Sequence, residues 1–152
     1  RAFLVTRSRV IADPDALATK LAERGFDPRS EVLLAAPPED LTLAAKPPPN
    51  RDSARVVLHD PEEVHVAVET QAATFLVLGD SYDVGWHAFV GDVELPIMPA
   101  YGFVRCVRLP PGVWDVQFRY SSPVWLGAGL SMLGLLLVLG IGVRSRREPE
   151  PA

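Results

Sequence analysis

The densest chemistry in this sequence lies at 80–87, reading Asp-Ser-Tyr-Asp-Val-Gly-Trp-His. Two carboxylates, a phenol, an indole and an imidazole follow one another there. Aromatic faces stack on sugar C–H surfaces, and carboxylates accept hydrogen bonds from hydroxyls. Asp80, Tyr82, Asp83, Trp86 and His87 are therefore candidate glycan or acceptor contacts, joined by Arg105 from a later strand. Each has a plainer reading beside it. Trp86 can be a core plug, Asp80 a turn cap, and Gly85 the residue that admits positive φ. Arg105 stands among apolar neighbours, where it pairs most simply with a carboxylate such as Asp80 or Glu94. Contact with a lipid phosphate is the sharper alternative.

Other chemistries fit less well. Asp80 and Asp83 invite Ca²⁺, but that ion wants six to eight oxygens and no EF-hand spacing occurs. His59, His65 and His87 are scattered without zinc spacing, so no metal site is assigned. Asp80, His87 and Ser81 suggest a hydrolase, yet there is no nucleophile elbow. Neither a cofactor nor a catalytic residue is assigned. A formal net charge of −4 leaves no basic footprint, so no nucleic-acid partner is expected. The single cysteine, Cys106, excludes an internal disulfide and is expected to be buried.

The loop at 80–87 needs strands to hold it, and the sequence on both sides has period two. Val64, Val66 and Val68 share one face of 63–70, with His65 and Glu69 on the other. The run 74–78 is continuously apolar, as in a strand buried on both sides. Trp114, Val116, Phe118 and Tyr120 alternate with Asp115, Gln117 and Arg119. Short strands at 55–59, 63–70, 74–78, 86–90, 103–109 and 113–120, separated by turn signals, predict an antiparallel β-sandwich over 54–121. Ahead of it, 1–35 reads as a small strand–helix–strand unit. Asp13-Pro14 starts the helix, Leu17 and Leu21 share a face, and Gly25 caps its end. The proline-rich stretch 36–53, with Pro47-Pro48-Pro49, reads as a linker.

Beyond the sandwich, 124–143 holds no charged residue. About 20 apolar residues at roughly 1.5 Å each match a hydrocarbon core of about 30 Å. A transmembrane helix is expected over 122–143, with a cytoplasmic tail at 144–152. Trp125 suits the headgroup level, and Arg144, Arg146 and Arg147 mark the cytoplasmic side. Gly127, Ser131 and Gly134 form a small-residue stripe suited to packing on other membrane helices. The chain begins at Arg1 without a signal peptide, so an exported sandwich implies either the tail of a longer polytopic protein or a matured single-span protein.

Residues 75–131 resemble the C-terminal signature of YfhO-type bacterial membrane proteins, polytopic proteins of the GT-C glycosyltransferase class. The matching residues are Asp80-Ser81-Tyr82, Gly85-Trp86, Pro96-Ile97, Arg105, Leu109-Pro110, Gly112, Phe118, Tyr120, Pro123, Gly127 and Ser131. The chain departs from the pattern at Val84, at Val90-Gly91-Asp92, at Ala100-Tyr101 and at Val113-Trp114. The resemblance implies a bacterial cell-membrane protein acting in cell-envelope glycosylation with a polyprenyl-phosphate-linked sugar as donor. It also implies that the catalytic acid lies outside this segment. The sequence thus predicts an extracytoplasmic, non-catalytic module. A membrane-tethered carbohydrate- or protein-binding scaffold without transferase activity is the alternative.

Overall fold

The structure is a computed structural model and describes residues 1–39, 43 and 49–121. In chain order the elements are β1 (Ala2–Val5), β2 (Ser8–Val10), α1 (Pro14–Ala22), β3 (Val32–Leu34), β4 (Ser53–His59), β5 (Glu63–Thr70) and β6 (Thr74–Ser81). They continue as β7 (Trp86–Val90), β8 (Val93–Leu95), β9 (Met98–Ala100), β10 (Val104–Leu109) and β11 (Gly112–Tyr120). One sheet runs β1-β6-β10-β9-β3-β2, the other β4-β5-β11-β7-β8. Among the described residues every pairing is antiparallel except β2 with β3, which α1 connects as a parallel crossover.

The two-sheet architecture follows from the alternation. Along β11 the even residues Trp114, Val116 and Phe118 are buried, while Val113, Asp115 and Arg119 are exposed. Val64, Val66 and Val68 of β5 point the same way. They meet Leu76 and Leu78 of β6 and Val107 and Leu109 of β10 in the core between the sheets. Neighbouring residues of these strands face outward from the first sheet. Phe75, Val77 and Cys106 lie in a second core with Val32, Leu33 and Leu34. Leu17 and Leu21 of α1 pack on that core. The first sheet is therefore covered on both faces, which is why 74–78 is continuously apolar.

The helix begins as its signals require: the Asp13 carboxylate accepts from the Ala16 N–H at 3.2 Å, with Pro14 in the first turn. Its end differs in detail. Glu23 caps the helix, and Gly25 takes φ 90° in the turn that follows. The larger correction concerns 1–35 as a separate unit. β1 pairs with β6, and β3 pairs with β9, so this segment supplies half of the first sheet. Arg1–Ser121 form one compact unit. The strands β2, β8 and β9, three residues each, carry too few positions to display a period, and none was expected from the sequence.

The expected membrane helix over 122–143 lies outside the described residues, together with Trp125, Gly127, Ser131, Gly134, Arg144, Arg146 and Arg147. So do Pro47 and Pro48 of the expected linker. Among the described residues no helix is long and apolar enough to cross a membrane.

Candidate functional site

The loop between β6 and β7 is held by its own side chains. Asp83 accepts from the Gly85 N–H at 2.8 Å, and its carbonyl accepts from the Trp86 N–H at 3.2 Å. Gly85 is not at positive φ. A Cβ there would come within 2.6 Å of the Tyr120 ring, so close approach rather than backbone conformation requires glycine. The candidate residues around this loop separate into two groups that share Trp86.

The first group is ionic and buried. The period of β10 puts Arg105 on the same side as Val107 and Leu109, so its guanidinium enters the end of the core, and the residue is only 2% exposed. It lies 3.1 Å from Asp80 Oδ2 and 3.7 Å above the Trp86 ring, with Phe118 further off at 5.6 Å. Asp80 Oδ1 accepts from Nε and Nη2 of Arg1 at 2.9 and 2.7 Å. His59 Nε2 approaches Asp80 Oδ2 at 3.6 Å. Burial lowers the Arg105 pKa from its ordinary value, and the Asp80 carboxylate pulls it back up. Nε and Nη1 of Arg105 have no hydrogen-bond partner among the described residues. The aromatic face of Trp86 compensates part of that cost through its quadrupole. Asp80 is thus an ionic hub, not a turn cap, while the Asp83 carboxylate is taken up by the Gly85 N–H. Among the described residues, no three His, Cys, Asp or Glu groups come together as metal ligands.

The second group is open. Tyr82, Val84, Trp86 and His87 line a cavity of about 350 Å³ with Glu94, Leu95, Pro96 and Ile97. Two connections that cross from one sheet to the other frame it: the β6–β7 loop and the Pro96-Ile97 step from β8 to β9. His87 points outward from β7. Its Nδ1 is 2.7 Å from Glu94 Oε1 and its Nε2 is 3.0 Å from Ser121 Oγ. With the proton on Nδ1, the ring donates to Glu94 and accepts from the serine hydroxyl.

A serine–histidine–carboxylate chain has the order of a nucleophile relay. However, the Ser121 N–H is donated to Gly85 O and the Gly85 N–H to Asp83. Those two amides are therefore already engaged and do not form an oxyanion hole. The hydrogen-bonded series ties β7 and β8 to the residue that follows β11, while His87 and Glu94 leave imidazole and carboxylate edges at the cavity wall.

Of the sequence-derived candidates, Tyr82, Trp86 and His87 thus meet at one cavity, Asp80 and Arg105 meet behind it, and Asp83 is used by its own turn. Glu94, Ser121, Arg1 and His59 were not singled out as site residues. Glu94 comes from β8 and Ser121 directly follows β11, and only strand pairing brings them to His87. No family model, no curated protein and no solved structure matches this chain.

Proposed function

We propose that this chain is a non-catalytic, extracytoplasmic β-sandwich that binds a glycan or glycosyl acceptor while tethered to the bacterial cell membrane. The observation that carries the proposal is the cavity at 82–97. A half-buried indole, a phenol and the apolar Leu95, Pro96 and Ile97 offer stacking surfaces, while His87 and Glu94 offer polar edges. That mixture suits a sugar ring, which has apolar C–H faces and a hydroxyl rim. The charge-free run 124–143 and the arginines behind it support the tether.

The resemblance to YfhO-type proteins supports the wider assignment: the C-terminal module of a GT-C-type glycosyltransferase that uses a polyprenyl-phosphate-linked donor.

Titration calorimetry of the full chain in detergent micelles, against neutral and acidic mono- and disaccharides, tests the binding reading. Saturable heat from one sugar class that disappears in Tyr82→Ala and His87→Ala is expected. Silence across the panel, or heats unchanged in both variants, would contradict it. The transferase assignment is tested separately by the mass of the endogenous polypeptide. Many further spans upstream would support it, and a signal peptide alone would leave the tethered binding module.

A further inference from the structure

We infer that Tyr82, Val84 and Phe103 form an apolar wedge that seats one end of the sandwich in the headgroup layer of a lipid bilayer. The inference rests on the membrane tether proposed above and specifies which surface meets the lipid.

Large apolar side chains that stay exposed in a small domain need a reason when they gather in one place. Val84 is 83% exposed, Phe103 62% and Tyr82 37%. They come from two loops that the backbone joins, since the Tyr82 N–H donates to Phe103 O at 2.8 Å. The shapes of those loops present the side chains outward. Asp83 tightens the first, and in the second Tyr101 (φ 53°) and Gly102 (φ 84°) reverse the chain just before Phe103. The Tyr101 hydroxyl anchors this reversal by donating to Pro28 O at 2.5 Å. Neither loop is a floppy excursion whose exposure is incidental.

The position of the rim identifies its partner. Ser121 is tied to the first loop by its N–H to Gly85 O at 2.8 Å. From Ser121 only three Cα steps, about 11 Å at full extension, lead to Val124. The apolar run 124–143 begins there. A bilayer holding that run keeps Ser121, and the loop bonded to it, close to its surface. Tyr82 adds an amphipathic ring of the kind that settles at headgroup level. Charge does not drive the contact. Asp83 lies in the loop, and Glu62, whose carbonyl accepts from the Tyr120 N–H, lies beside it. The wedge is therefore expected to seat equally well on zwitterionic lipid.

The opposite end of β11 supplies an internal control. Val113 is also exposed, at 51%, but it lies seven residues from Tyr120, about 23 Å along the strand. Single cysteines at Val84→Cys, Phe103→Cys and Val113→Cys can be spin-labelled in the full chain, because Cys106 is fully buried and its thiol pKa is pushed up to about 12. The labelled chains are reconstituted in phosphatidylcholine vesicles. Collision rates are read with oxygen, which concentrates in lipid, and with a water-soluble nickel chelate. Labels at 84 and 103 are expected to favour oxygen over nickel severalfold more than the label at 113, and to do so with or without anionic lipid. Equal ratios at all three positions in chains that float with the vesicles would overturn the wedge and leave the tether standing. Chains that fail to float would overturn the tether, and the wedge with it.

Discussion

Trp86 and His87 are consecutive residues of β7, yet they stand in opposite surroundings. Trp86 turns inward, where its ring lies between the Arg105 guanidinium at 3.7 Å and the Tyr120 ring at 5.3 Å. His87 turns outward and bonds only groups that water also reaches. The pleat of one strand thus divides a chemistry-rich segment into a structural half and an accessible half. Residue type does not distinguish them. Asp80 and Arg105 have the chemistry of a binding site but form an ion pair at the edge of the core, whereas the open cavity draws on Glu94 from another strand.

The sharpest break in this comparison comes from Asp80→Ala. It strands a buried guanidinium without its counter-charge, a change that costs about 3 kcal/mol or more. Denaturant unfolding checks this, and a loss under about 1 kcal/mol would mean that Arg105 finds solvent.

Trp86→Ala should cost about 2 kcal/mol, below the value for a fully buried tryptophan because part of the ring faces the cavity. It should also weaken saccharide binding, so it reports on both halves at once. Gly85→Ala places a Cβ 2.6 Å from the Tyr120 ring. Displacing that ring should cost about 1–2 kcal/mol, seen as a lower unfolding midpoint. His87→Ala is the opposite case. Its partners are exposed, so stability should change by less than about 1 kcal/mol while binding is lost. A large stability loss in His87→Ala would erase the distinction between the two halves.

The smallest effect is a titration. Glu63 is half-exposed, and its pKa lies below the usual glutamate value, chiefly because it bonds His65 and lies near Arg119. A lowered pKa in the folded chain means that its small stabilisation is present above the unfolded pKa and fades as pH falls through the folded one. Carboxyl carbon shifts followed by NMR should give a Glu63 midpoint below that of an unfolded peptide. A midpoint at or above the peptide value would contradict the His65 bond.

Most of the sandwich was legible because burial on one face imposes period two. Val64, Val66 and Val68, and Trp114, Val116 and Phe118, could be assigned to the core on that ground alone. The helix start was legible because Asp13 and Pro14 carry its capping chemistry locally. The strand pairings that draw β1 to β3 into the first sheet were not, since pairing joins residues up to 76 apart, as in Ala2 with Leu78. The same limit applies to the site. Asp80 with Arg105 was one of two pairings considered, and the register of β10 on β6 decides it, with a shift at Val104 and Arg105. The need for glycine at 85 is not legible locally, because it comes from Tyr120, a residue 35 positions away.

The most direct test of the open-cavity account is an NMR titration of the full chain in micelles with the saccharide class that gives calorimetric heat. Backbone amides of Tyr82, His87, Glu94 and Ile97 and the Trp86 indole N–H should shift together. Arg105 and Phe118 should stay in place, and every shift should vanish in His87→Ala. Shifts centred on Arg105 and Asp80, or shifts that persist unchanged in His87→Ala, would contradict the account.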